Sequence, residues 1–259
     1  MRICTFASGS KGNCSLVSAS GFNFLIDAGI SMKRICANLA LCSLKPCDIN
    51  GVLVTHQHSD HISGLAMLVK HHRVPIYAPH SVARHLRGSL GCCDELIHVL
   101  PAGESLSFGN RLVVRSFPTS HDTEESVGYR FEADNIFAYA TDTGCVTDAV
   151  FAGLAGADAV VIESNHDLDM LRYGSYPYQL KRRIMSPRGH LSNDDCAQLA
   201  RLLAGRGTRY FILGHLSREN NTPAKALSTV SAALEGCGVQ VYVAPEAERL
   251  SLEIGGGTI

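Results

Sequence analysis

Six consecutive residues, His56-Gln57-His58-Ser59-Asp60-His61, place four metal-ligand side chains directly behind the short apolar run Gly51-Val52-Leu53-Val54. Alternate residues of an extended chain point the same way, so His56 and His58 can grip one ion, while Asp60 and His61, just past the turn, face a second direction. The plainer alternative is a polar, solvated loop. If the block does bind metal, its four donors cannot complete two coordination spheres, and the remaining ligands must arrive from elsewhere in the chain. That requirement constrains the fold, because other strands have to end on the same rim. Three residues meet it: His121 in Phe117-Pro118-Thr119-Ser120-His121, Asp142 in Thr141-Asp142-Thr143-Gly144, and His215 after Phe211-Ile212-Leu213-Gly214. Taken singly, each reads as a turn residue. Since all three lie just past an apolar strand, they read together as strand ends converging on one site. Imidazole and carboxylate without thiolate suit zinc, manganese or iron.

The rest of the chain supplies such strands. Ile3 to Ala7, Phe22 to Ile26 and Gly51 to Val54 are short apolar runs, the second ending abruptly at Asp27-Ala28-Gly29. Helical spacing predicts helices over Met32 to Leu41 and over Ile62 to His71, the latter with Ile62, Leu65, Ala66 and Val69 on one face. Arg111 to Phe117, Val127 to Phe131 and Ile136 to Ala140 have the period-two character of an antiparallel sheet. Helix and strand then alternate from Thr147, with strands at Asp158 to Ile162, Arg209 to Leu213, Val239 to Val243 and Leu250 to Ile254. Ser192 with Asp195, and Thr222 with Pro223, are helix-start signals, and Gly236 suits a helix end. Residues 1–259 show no repeat, linker or composition break, which predicts one domain of two sheets with helices packed outside.

At 46% apolar and 18% charged residues, the chain has the composition of a folded globular protein. No apolar run approaches the ~18 residues of a membrane span. Met1 to Ala7 is too short and β-like for a signal peptide, so the expected location is the cytoplasm, with no membrane partner. The ten cysteines contain no Cys-x-x-Cys pair, and Cys92-Cys93 are adjacent; buried small hydrophobes are expected rather than disulfides or structural zinc. A net charge of −1 announces no general nucleic-acid field. Locally, Lys181-Arg182-Arg183 and Arg188 could track a phosphate backbone, although such a run also reads as a solvated helix face. Ser8 to Asn13 lacks the spacing of a phosphate loop, and its Gly9 and Gly12 read as permitting a tight turn.

The order of these motifs closely resembles the metallo-β-lactamase fold superfamily: Asp27 after a strand, the His-x-His-x-Asp-His block, then His121, Asp142 and His215. Within it, Ala7 to Asn13, Glu163-Ser164-Asn165-His166-Asp167, Gly189-His190-Leu191-Ser192-Asn193 and Gly214 to Asn221 are similar to the bacterial YycJ/WalJ-like branch, itself similar to metal-dependent nucleases. The resemblance implies an α/β fold of αββα four-layer sandwich type and two divalent ions, zinc or manganese. It assigns His56, His58 and His121 to one ion and Asp60, His61 and His215 to the other, with Asp142 bridging. Asp27 would orient a ligand histidine rather than bind metal. The resemblance also places the Ser8 to Asn13 turn beside the site.

Two such ions would share a hydroxide of lowered pKa and clamp the electrophile's oxygens, an engine that serves phosphodiesters, thiolesters and lactams alike. A thiolate leaves unaided, whereas a ribose alkoxide profits from a general acid. Glu163 and His190 lie in segments resembling nuclease-type motifs; His190 could protonate the leaving oxygen or hold the phosphate, and Glu163 could orient it, with Asp60 completing the catalytic set. A loop ahead of a capped helix is the competing reading of His190, and a polar loop residue that of His166. His71, His72, His80, His85 and His98 receive no role. The expectation is a metal-dependent hydrolase cleaving DNA, as a 5′→3′ exonuclease, with RNA as the second nucleic-acid candidate. The alternatives are a hydrolase of thiolesters or cyclic phosphodiesters, and a metal-binding regulatory protein with a vestigial site.

Overall fold

Strands that are apolar at nearly every position must be covered on both faces, and the central strands of this chain are. The structure, a computed structural model, describes residues 1–91 and 94–255. The first half runs β1 (Arg2–Ala7), β2 (Cys14–Ala19), β3 (Phe22–Ile26), α1 (Met32–Leu41), β4 (Gly51–Leu53), α2 (Ser59–Ile62), α3 (Leu65–His72), β5 (Ile76–Ala78), α4 (His80–Leu90) and β6 (Ile97–Val99). The second runs β7 (Ser105–Phe108), β8 (Leu112–Pro118), β9 (Val127–Glu132), β10 (Ile136–Ala140), α5 (Asp148–Leu154), β11 (Ala159–Glu163), α6 (Leu168–Tyr173), α7 (Tyr178–Ile184), α8 (Asn193–Ala204), β12 (Tyr210–Gly214), α9 (Pro223–Ala233), β13 (Gln240–Val243) and β14 (Leu250–Glu253). Among the described residues two seven-stranded sheets form, in the orders β14-β1-β2-β3-β4-β5-β6 and β13-β12-β11-β10-β9-β8-β7.

Alternation along each strand sorts the side chains into three layers. Ile3, Phe24, Ile26, Phe131, Phe137, Tyr139 and Ile212 meet between the sheets. Cys4, Phe6, Leu25 and Val52 face α1, α3 and α4 through Ile35, Leu39, Leu68 and Val82. Ala138, Val160, Ile162, Phe211 and Leu213 face α5, α8 and α9 through Val150, Leu199, Leu203 and Val230. This is the αββα sandwich expected from the sequence. Ser192 and Thr222 cap α8 and α9 as expected, accepting from the Asp195 and Lys225 amides. Eight cysteines are free among the described residues, with Cys4, Cys14, Cys42 and Cys196 buried as small hydrophobes, while Cys47 is exposed. The adjacent pair Cys92-Cys93 lies outside the described residues.

One feature differs from expectation. The helix expected over Ile62 to His71 is split into α2 and α3 at Ser63-Gly64. There the Gly64 amide donates to Ala28 O, and a Cβ on Gly64 would fall 1.9 Å from Ile30 O, so the chain behind β3 wedges the helix open. The same packing locks the ligand block, since the Asn13 amide donates to Asp60 O and the Ala28 amide to His61 O. A Cβ on Gly29 would lie 1.6 Å from Asp60 O. Gly29→Ala is therefore expected to cost about 1–3 kcal/mol and to weaken metal binding, read as a falling Tm and lower metal retention. Gly88→Ala on the exposed face of α4, where an added Cβ meets nothing within 4 Å, should leave both unchanged or raise Tm slightly. Equal behaviour of the two variants would remove Gly29 from the argument.

Candidate metal centre

The parallel strands β3 and β4 of one sheet, and β10, β11 and β12 of the other, all end on the same edge. Antiparallel pairing through β9 makes β8 end there too. Asp27 follows β3, the His56 block follows β4, His121 follows β8, Asp142 follows β10, Glu163 closes β11 and His215 follows β12. Hydrogen bonds tie the two sheets beneath the site: the Val127 amide donates to Thr55 O, and the Tyr129 hydroxyl to Val54 O. Asp27, Asp142 and His215 adopt φ of 60°, 55° and 56°, a left-handed turn that lets the strand stop and swing its next side chain over the rim.

The donors cluster tightly. Ligand atoms of His56, His58 and His121 lie within 4.8 Å of one another, as do those of Asp60, His61 and His215; Asp142 groups with His56 and His61, and also with Glu163, His190 and His215. His56 Nε2 is 3.0 Å from His58 Nδ1, which is 3.3 Å from His121 Nε2. Nitrogens bound at about 2.05 Å around a tetrahedral zinc would be about 3.3 Å apart. Proton positions follow from the partners on the far sides of the rings. His56 Nδ1 faces Thr55 Oγ1 at 3.0 Å, and His121 Nδ1 donates to Gly189 O at 3.2 Å. His61 Nδ1 donates to Asp27 Oδ2 at 2.7 Å, and His215 Nδ1 to Glu163 Oε1 at 2.7 Å. The remaining Nε2 atoms of His56, His61, His121 and His215 are thus the nitrogens left to face a metal at the centre.

Asp142 stands between the two groups. One oxygen is 3.8 Å from His121 Nε2 and 3.5 Å from His215 Nδ1; the other is 3.4 Å from His61 Nε2. Asp142 Oδ2 and His215 Nε2 are buried with no hydrogen-bond partner, a costly state that a bound cation relieves. Histidine–carboxylate donors packed around unpartnered atoms fit divalent metal, and the arrangement is a candidate binuclear centre.

Electrostatics agree. Burial opposes ionisation of Asp60 and Asp142, yet the surrounding histidines hold both below the usual carboxylate range, Asp60 chiefly through the neighbouring His215 and His61. Burial alone would lower His61, but Asp142 and Asp27 lift it to about 10. His215 is likewise raised by Asp142, Asp60 and Glu163 against burial. His56 and His121 are pushed down, chiefly by burial. Asp27, fully buried, is raised by burial and accepts from His61 and from the Thr55 amide and hydroxyl, so it fixes a ligand ring.

Glu163 and His190 join the same group. Glu163 Oε1 accepts from His190 Nδ1 at 2.8 Å as well as from His215, and Oε2 accepts from the Thr143 and Leu191 amides. Burial resists charge on both, but their mutual pairing holds Glu163 ionised and raises His190. His190 opens onto a cleft of about 250 Å³ that His58, Asp60, Asp142 and His215 also line. His166 is buried and held neutral, lowered by burial to about 4; it falls outside the ligand groups among the described residues. The expected turn at Ser8 to Asn13 is present, with Ser10 lining the cleft and Asn13 Nδ2 3.0 Å from His61 Nε2.

Asp122, Thr55 and Tyr176 are site residues that the sequence reading missed. Asp122 lies 3.6 Å from His58 Nε2 and pairs with Arg183; its place next to His121 was the available signal. The basic run splits by role: Lys181 Nζ donates to Arg172 O and Gly174 O, and Arg188 donates to His121 O and Thr123 O, bracing the ligand loop. Arg183 lines the cleft but is engaged by Asp122, and exposed Arg182 remains for a ligand.

Comparison with known proteins places these features in a family. A profile described as "Beta-lactamase superfamily domain" matches residues 22–216. The exodeoxyribonuclease WalJ of Streptococcus pneumoniae serotype 2 is 40% identical over 228 residues, 86% of this chain and 84% of that protein. The exodeoxyribonuclease YycJ of Bacillus anthracis is 39% identical over 245 residues, 93% of this chain and 92% of that one. The crystal structure of the metallo-beta-lactamase fold protein YhfI from Bacillus subtilis superposes with a TM-score of 0.73 at 15% identity, covering 96% of this chain and 99% of that one, a likeness of fold.

Proposed function

The chain belongs to the β-lactamase superfamily, and on that premise we propose that it is a binuclear metal-dependent phosphodiesterase that degrades DNA from a 5′ end. His56, His58 and His121 would hold one ion and Asp60, His61 and His215 the other, with Asp142 between them. Bound there, two divalent ions would supply a nucleophile at neutral pH and neutralise the charge gathering on the phosphate. The three-histidine group suits zinc by its ligand type, and the second group, with Asp60 and the shared Asp142, accommodates zinc or manganese. His190 carries the reading: a histidine raised by Glu163 and open to the cleft can hand a proton to an alkoxide, help that a thiolate does not need. Two relatives named exodeoxyribonucleases, each matching most of this chain, support DNA as the polymer.

The same reading takes residues 1–259 as one domain working in the cytoplasm, supported by the shared core between the sheets and by the eight free cysteines among the described residues. No described helix is long and apolar enough to cross a membrane. Purified protein treated with EDTA and reloaded with zinc or manganese should be assayed on 5′- and 3′-labelled DNA, on RNA and on a chromogenic thiolester. The expected result is DNA cleavage that vanishes with EDTA and returns with metal. Faster turnover of the thiolester, or cleavage indifferent to EDTA, would reject the proposal.

A further inference from the structure

Protein surfaces seldom display large aromatic rings, because a ring left in water forgoes its burial energy. Here two of them stand within six residues: Tyr173, 79% exposed, and Tyr178, 73% exposed. They flank Gly174-Ser175-Tyr176-Pro177, the connection from α6 to α7, and Tyr176 between them lines the metal cleft together with Arg183 and His190. The two exposed rings thus bracket in sequence a residue of the cleft lining.

The segment is held, not loose. Lys181 Nζ crosses the connection to donate to Arg172 O and Gly174 O at 2.9 and 2.6 Å. Gly174 packs so closely that an added Cβ would sit 2.4 Å from Met170 O and 2.8 Å from Asn220 Oδ1. The rings are thus presented on a fixed mount, which lowers the ordering cost of binding. Positive charge lies alongside. The Arg182 guanidinium is over the Tyr178 ring, 5.9 Å from its centroid, and has no ion-pair partner among the described residues. Exposed rings beside free guanidinium, leading into a phosphodiester-cleaving cleft, match what an unpaired nucleic-acid strand requires: planes for its bases and cations for its backbone. A duplex, with its bases already stacked inward, could use only the cations.

We propose that Tyr173 and Tyr178 form a base-stacking platform that delivers single-stranded nucleic acid, without sequence preference, to the cleft at Tyr176. The proposal rests on the nuclease reading above and adds the form of the substrate.

Binding is measured by fluorescence anisotropy on the metal-loaded protein with three phosphorothioate probes: a decathymidylate, the same strand made of abasic sugars, and a ten-base-pair duplex. Tyr173→Ala/Tyr178→Ala should weaken the base-bearing strand roughly 10- to 100-fold. It should bind the abasic strand and the duplex as wild type does. Tyr173→Phe/Tyr178→Phe, which keeps the rings and loses only the hydroxyls, should retain wild-type affinity. Unchanged Tm and metal content in both variants are expected from the exposure of the rings. Wild type should itself prefer the base-bearing strand to the abasic one by the same factor. Equal affinity of the alanine variant and wild type for the base-bearing strand overturns the platform while leaving the nuclease reading in place. A loss that phenylalanine does not restore also overturns it, since stacking needs no hydroxyl. Failure of wild type to bind any of the three probes overturns the nuclease reading and the platform with it, leaving the tyrosines as a surface for a protein or membrane partner.

Discussion

Asp142→Asn should release metal from both positions together and lower DNA turnover on the order of 10³-fold, the upper range of what one preorganised electrostatic group commands. The substitution keeps the shape of the side chain and removes its charge. Its oxygens face His121 and His215 on one side and His61 on the other, so neither ligand group keeps its shared anion. Elemental analysis after equilibration with zinc, then gel filtration, gives the stoichiometry. By contrast, His121→Ala and His215→Ala should each empty one position more than the other. Retention of two ions by Asp142→Asn, or selective loss of one, would contradict the bridging assignment.

His190→Ala should preserve metal content while slowing cleavage of an ordinary DNA phosphodiester by roughly 10²–10⁴-fold, the weight of a general acid. A phosphodiester with a good aryl leaving group needs little protonation, so its cleavage should fall much less. The structural ground is the Nδ1 bond to Glu163, which orients the ring and favours its protonated form. Glu163→Gln should reproduce part of the defect, although it also disturbs His215, which shares the same carboxylate oxygen. Equal losses on both substrates would make His190 a phosphate-positioning group, and no loss on either would exclude it from the reaction.

Much of this was legible in the chain because ligands and strands leave local signals. His56 to His61 are neighbours in sequence, and His121, Asp142 and His215 each trail an apolar strand. Strands β5 and β6, three residues each, and β7, four, are too short to show any period, and they went unread. The break between α2 and α3 depends on Ile30 pressing on Gly64, a contact between segments distant in sequence. Nor could charge alone divide Lys181 and Arg188, spent on backbone carbonyls, from Arg182 and Arg183. Tyr176 joined the site only because α7 packs beside it, which no motif records.

The left-handed backbone at Asp27, Asp142 and His215 sets heat resistance against function. Each non-glycine residue in that region costs about 1 kcal/mol or somewhat more, and each sits at the end of a strand the site depends on. Glycine at Asp142 would relax the chain and remove a buried unpartnered oxygen while deleting a ligand, whereas at Asp27 it would strand the His61 and Thr55 donors. A directed-evolution campaign that ranks variants by melting temperature in a chelating buffer would therefore enrich molecules that are sturdier and inert. Run with zinc present, the same campaign would keep all three residues, because the ions then repay the strain.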